Sequence, residues 1–241
     1  MPNVFYFEQS DRQANAENRT ANFGQSFFSR PNLIASYFNA AHSLLEKAIT
    51  EKTTSDLGLP IFYLQRHTTE LLLKKLHDVA EAVSVYSDGS KVEDGVWQQW
   101  IAKKQEDHEK LVKKNKHPAY SHNLAWILTS ATDLLRAQGC TPPPTEFADL
   151  SHLIESFENG HPDRARYTTI RLHRGDESAD SSSLPRGTEV VLDLGKIQDL
   201  LDIIITTHMR ADHEDDDTFL ADLVREEMAL EQSLRYRHRI E

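Results

Sequence analysis

From Pro31 onward, apolar residues recur at three- and four-residue steps, the spacing of one face of an α-helix. Leu33, Ile34, Tyr37, Phe38, Ala41, Leu44, Leu45, Ala48 and Ile49 predict a first helix, with Pro31 near its start, where proline is favoured. Residues 53–58 break the pattern, and Pro60 opens a second predicted helix running to about Val83. At about 100° per residue, Ile61, Leu64, Leu71, Leu72, Leu73, Leu76, Val79, Ala82 and Val83 span roughly 200° of its circumference. That arc is wider than a surface helix needs, which predicts a central position in a bundle. The narrow remaining arc holds Arg66, His67, Glu70, Lys74 and His77.

Residues 84–94 read as a turn-rich loop. Trp97, Trp100, Ile101, Leu111 and Val112 then punctuate a highly charged stretch that predicts an exposed helix. Leu124, Ile127, Leu128, Ala131, Leu134 and Leu135 predict another, begun by the polar run Ser121-His122-Asn123. Phe147, Leu150, Leu153, Ile154 and Phe157 predict a further helix, stopped at Asn159-Gly160.

The period then changes. Residues 166–173 and 189–194 are rich in β-branched residues and read as two strands. The intervening residues 175–187 suit a hairpin loop. Helical spacing returns at Ile197, Leu200, Leu201 and Ile204, and after an acidic break at residues 212–217 a last helix carries Leu220, Leu223, Leu230 and Leu234. The expected fold is mainly α, a helical bundle with one small β-hairpin insertion near residues 165–194. Its expected organisation is an N-terminal arm (1–30), the bundle domain (31–211) and a C-terminal helix (212–241). The leucine stripe of that last helix either packs on another chain or caps its own bundle.

Composition narrows the function classes. The 241 residues are 39% hydrophobic and 27% charged, enough for a sizeable core. The 27 basic residues against 38 acidic ones give a net charge of −11, the wrong sign for a general nucleic-acid coat, although a local basic groove remains compatible with it. Residues 103–117 form the main basic patch, beside Trp97 and Trp100, and read either as a solvated face or as an RNA platform. One cysteine, Cys140, argues against a disulfide framework and a multi-cysteine zinc site. No apolar run reaches the length of a membrane span, and the first residues do not read as a secretion signal, so the expected location is the cytoplasm. Phosphate-loop, dinucleotide and nucleophile-elbow motifs are absent from the sequence, which argues against nucleotide-driven motors, dinucleotide enzymes and α/β-hydrolases.

Arg66, His67, Glu70 and Lys74 share a helix face because three- and four-residue steps align. On a peripheral helix they would be a solvated stripe; on a central one they would form a buried polar network or an anion-binding pocket. His122 and Asn123 read as helix-start residues, with Ser121 or Asn123 as cap, or else His122 faces the stripe. His208 and Asp212 are four apart, but no third ligand is placed, so no metal site is expected.

The run Tyr63-Leu64-Gln65-Arg66-His67-Thr68-Thr69-Glu70-Leu71-Leu72-Leu73-Lys74, followed by His122-Asn123-Leu124 and then Arg166-Tyr167, resembles bacterial helical proteins of the HEPN superfamily over roughly residues 31–206. The resemblance implies a helical bundle that often dimerises, a link to toxin–antitoxin or phage-defence systems, and RNA cleavage in many members. Ribonucleases of that superfamily carry an Arg and a His separated by four to six residues on a helix. Arg166 and His173 fit the spacing, but on a strand an odd separation points them to opposite faces, and at about 3.3 Å per residue they stand more than about 20 Å apart.

The candidate catalytic residues are therefore Arg166 and His173, weakened by that geometry, with His67, Glu70 and His122. The candidate binding residues are Arg66, Lys74, Asn123 and Tyr167. His67, Glu70, Lys74, His122 and Arg166 are expected to meet in one polar cluster, with Arg166 as the fork on Glu70. The leading reading is a HEPN-like effector acting on RNA as a metal-independent endoribonuclease and homodimer, with no cofactor and no membrane. The rival is a non-catalytic helical module binding a partner protein or a small anionic ligand.

Overall fold

The periodic segments become seven α-helices in the computed structural model, which describes residues 33–93, 96–114, 117–158, 191–209 and 217–238. Helix α1 (Leu33–Glu51) ends where Lys52 adopts a left-handed conformation, φ 57°. Lys52 N–H then donates to Ile49 C=O at 3.3 Å and Thr53 N–H to Ala48 C=O at 2.8 Å, closing the helix. This tight reversal lets α2 begin at Thr54. Tyr37, near the start of α1, meets His67 on α2, as antiparallel packing requires.

Helix α2 (Thr54–Gly89) is 36 residues long and longer than expected at both ends. Pro60 lies inside it instead of opening it. The hydrogen bond that proline forfeits belongs to Asp56, an exposed residue. At the other end the expected loop at 84–94 is helical as far as Gly89. Tertiary packing overrides the weak local propensity here: Trp97 and Leu234 close over Gly89, where an added Cβ would lie 2.8 Å from the Trp97 ring and 3.3 Å from Leu234.

The central position of α2 is confirmed. Between residues 61 and 90 only Lys75 and Asp78 are exposed. Around it pack α3 (Trp97–Lys113), α4 (Leu124–Ala137), α5 (Thr145–Glu158), α6 (Leu194–Ile203) and α7 (Phe219–His238). Phe62 on α2 meets Phe157 on α5 edge-on at 4.6 Å, within a core that also contains Leu72, Leu76, Ile127, Leu135, Ile154 and Ile197. Each such side chain, fully buried, contributes about 1.5–3 kcal/mol. Gly139, φ 75°, closes α4 by the same left-handed device as Lys52, with Cys140 N–H donating to Leu135 C=O at 3.0 Å. A π-helical turn over Ile204–His208 extends α6.

Two expectations need correction or restriction. No strand occurs among the described residues. At the end of the expected second strand, Asp193 Oδ1 accepts from Lys196 N–H at 2.9 Å and Leu194 opens α6. A capping aspartate and a buried leucine outweigh the β propensity at residues 191–194. The rest of the hairpin, including Arg166, Tyr167 and His173, lies outside the described residues, as does the arm at 1–30. The apolar stripe of α7 is covered by its own chain: Leu220, Leu223 and Leu234 are buried, and Leu230 is partly buried. Among the described residues, no helix is long and apolar enough to cross a membrane.

Candidate functional site

Three- and four-residue steps along α2 line up Arg66, Glu70, Lys74, His77 and Glu81 on one stripe. Because α2 is central, the stripe turns inward. Arg66 and Glu70 are both 2% exposed, among the most buried charged groups of the described residues.

Arg66 spends its planar fork on three acceptors. Nε donates to Glu158 Oε1 at 2.9 Å, Nη2 to the His122 backbone carbonyl at 2.6 Å, and Nη1 to Glu70 Oε2. One guanidinium thereby joins α2, the end of α5 and the segment entering α4. Glu158, 3% exposed, supplies the second buried carboxylate, so the two acids balance Arg66 and Lys74.

Glu70 accepts from Lys74 Nζ at 2.7 Å and meets His122 Nδ1 at 3.0 and 3.1 Å, one contact to each oxygen. Burial by itself pushes its carboxyl upward. The hydrogen bonds from Lys74 and His122 and the charges of Lys74 and Arg66 outweigh that, and the group is lowered to about 2. Glu70 is a permanent anion at neutral pH.

His122 is half exposed (51%), in contrast to the carboxylate it touches. Its backbone is held on both sides. A short 3₁₀ turn, Pro118–Tyr120, precedes it, and Ser121 Oγ accepts from Asn123 N–H at 2.9 Å. With Nδ1 directed at Glu70, Nε2 is left for solvent or a ligand. This is a carboxylate-oriented imidazole, an arrangement that selects one tautomer and fixes the direction of the other nitrogen.

The structure thus brings Glu70, Lys74 and His122 together as expected, and Arg66 supplies the fork that was assigned to Arg166. Arg166, Tyr167 and His173 lie outside the described residues. His67 is not among the groups on Glu70; it packs edge-on against Tyr37 at 4.4 Å and parallel to Tyr63 at 6.0 Å. One residue along a helix turns a side chain by about 100°, which carries His67 toward α1 while Arg66 faces α4 and α5. Asn123 is a cap: its Oδ1 accepts from Trp126 N–H at 2.8 Å. His208 approaches Glu146 at 3.6 Å, and Asp212 is outside the described residues.

Two supporting groups escaped the sequence reading. Glu158 is 92 residues from Arg66, and no local pattern links them. Glu155 Oε1 accepts from Ala125 N–H at 2.7 Å, satisfying the first turn of α4 from α5. Three lysines of the basic patch are paired with acids. Lys110 pairs with Glu106 at 2.7 Å, Lys113 with Glu109 at 3.5 Å and Lys104 with Asp88 at 3.4 Å. Trp97 is buried under Gly89, so it offers no face on which a base could stack.

No protein-family model matches the chain, and neither a curated protein nor a solved structure matches it.

Proposed function

We propose that the chain is a HEPN-like effector of a prokaryotic defence or toxin–antitoxin system that cleaves RNA without a metal ion, with His122 as the proton-transferring group. The observation that carries this reading is a half-exposed imidazole fixed through Nδ1, at 3.0 Å, to a buried and permanently ionised carboxylate. In such a pair Nε2 accepts a proton from a ribose 2′-hydroxyl, and the resulting imidazolium is stabilised by Glu70. The 2′-oxygen then attacks the adjacent phosphorus, and the bond to the 5′-oxygen breaks, that oxygen leaving with the electron pair and taking its proton from the imidazolium or from water. Lys74, 23% exposed beside Glu70, offers a cation to the charge gathering on the phosphate. The neighbouring Tyr120 (60% exposed) and Trp126 (39% exposed) offer apolar rings to a base.

The second reading is a non-catalytic helical module for a partner protein or a small anion. It is favoured by the completeness of the Arg66–Glu70–Glu158 network, whose cation is already spent on protein acceptors, and by the net charge of −11.

Incubation with tRNA and total RNA, without added divalent metal, separates the two. The first reading expects cleavage leaving 2′,3′-cyclic phosphate ends, lost in His122→Ala while the protein stays folded on the Lys74 and Arg66 bonds to Glu70. Absence of cleavage at micromolar protein, or cleavage that survives His122→Ala, overturns it. Light scattering on the same preparations tests the homodimer that the HEPN reading carries with it.

A further inference from the structure

Beyond Lys74, the same stripe of α2 leads to a second cluster that the RNA reading does not use. His77 and Glu81, one turn apart, face His108 on α3 and His117 in the segment after it. Glu81 Oε1 lies 3.1 Å from His117 Nε2 and 3.3 Å from His108 Nδ1, and the three ligand-type atoms lie within 4.8 Å of one another. Ligand atoms around a tetrahedral zinc, with bonds of about 2.0–2.1 Å, stand about 3.3 Å apart. The two distances from Glu81 Oε1 match that edge.

A fourth nitrogen completes the set. His77 is 2% exposed, and its Nδ1, 4.0 Å from Glu81 Oε2, is buried with no hydrogen-bond partner among the described residues. Its other nitrogen, Nε2, sits 3.1 Å from Ser130 Oγ on α4. With the Nε2 proton donated to Ser130, Nδ1 carries a bare lone pair 4.0 Å from Glu81 Oε2, and the Ser130 contact is the outer-sphere support that orients a metal-bound imidazole. A purely hydrogen-bonded network of Glu81, His108 and His117 leaves this atom orphaned, a costly state for a buried polar group. A cation held by Glu81, His108 and His117 gives this atom a partner once His77 Nδ1 closes on the other three donors.

We propose that His77, Glu81, His108 and His117 form a structural site for a zinc-class divalent ion, tying α3 and the segment around His117 to α2. Three imidazoles and one carboxylate suit zinc and its first-row neighbours; the hard, all-oxygen shells of magnesium and calcium differ. Four protein donors close a tetrahedral shell, which is the structural and not the catalytic pattern. The tie also answers a need of the fold: α3 buries only Trp97, so its apolar contribution to docking is small. The site stands independently of RNA cleavage.

The test uses the full chain, stripped with chelator and dialysed, and titrated with cobalt(II) as a coloured probe and then with zinc. The expected result is one cobalt per chain with the intense visible bands of tetrahedral coordination, displaced by zinc. Zinc should also raise the melting temperature and protect α3 from limited proteolysis. His108 is 43% exposed, so His108→Ala should fold; it should weaken cobalt binding by about tenfold or more and abolish the zinc-induced rise. His42→Ala, at an exposed pair with Glu46, should bind as the wild type does. A weak octahedral spectrum, absence of binding at one equivalent, or undiminished binding by His108→Ala overturns the proposal.

Discussion

Glu70→Gln is the sharpest test of the buried network. The change keeps the shape but removes the charge that faces Arg66, Lys74 and His122 and replaces one accepting oxygen by a donating NH2. A carboxyl held at about 2 instead of 4.5 corresponds to about 3 kcal/mol of preference for the ionised form in the fold. Breaking one partner of a buried ion pair costs about 3–5 kcal/mol, so the two lines of reasoning agree. Urea denaturation at neutral pH should show a lower midpoint in Glu70→Gln with an unchanged slope, the mark of lost stability without altered compactness. Acid provides a second, independent reading. Because the carboxyl is lowered on folding, its contribution is complete above about 4.5 and is lost as pH falls from there toward about 2. Over that window wild type should approach Glu70→Gln, since a protonated Glu70 is nearly a glutamine. A neutral-pH difference below about 0.5 kcal/mol, the range of ordinary surface changes, would refute the buried network. So would a difference that stays constant on acidification.

Further perturbations follow from the same geometry. Arg66→Lys keeps the charge but loses the fork that reaches Glu158, Glu70 and the His122 carbonyl together; it should lower stability by about 2 kcal/mol, read by thermal melting. Asn123→Ala removes the cap on Trp126 N–H and should cost about 1 kcal/mol in urea, whereas Asn123→Asp should cost little. Gly89→Ala reverses the usual helix preference: the new Cβ would stand 2.8 Å from the Trp97 ring, so overpacking of about 1–3 kcal/mol exceeds the propensity gain of about 1 kcal/mol. Trp97 fluorescence should shift with that loss, and a stabilised Gly89→Ala would contradict the packing described for this helix end.

Helix existence, the central place of α2 and much of the stripe were legible because each is a local property. Periodicity reports which face of a helix is buried, and an apolar arc of roughly 200° already implies neighbours on most sides. Four-residue steps placed Glu70 beside Lys74, and the polar run at residues 121–123 announced a helix start. Propensity misled where long-range packing prevailed. Residues 84–89 stay helical because Trp97 and Leu234 close over Gly89, and Asp193 turns the expected strand end into a helix cap.

Local spacing assigns the side chains of the α2 stripe, and helix packing assigns their partners. Arg66 finds Glu158 across 92 residues, His122 reaches Glu70 across 52, and His108 and His117 reach Glu81 across 27 and 36. None of these separations has a periodic signature, because the pairing is set by how α3, α4 and α5 lie against α2. A charged residue on a helix reads the same whether it faces water or another carboxylate. Only the packing of its neighbours removes the water, and with it the screening that would otherwise have made these pairs weak.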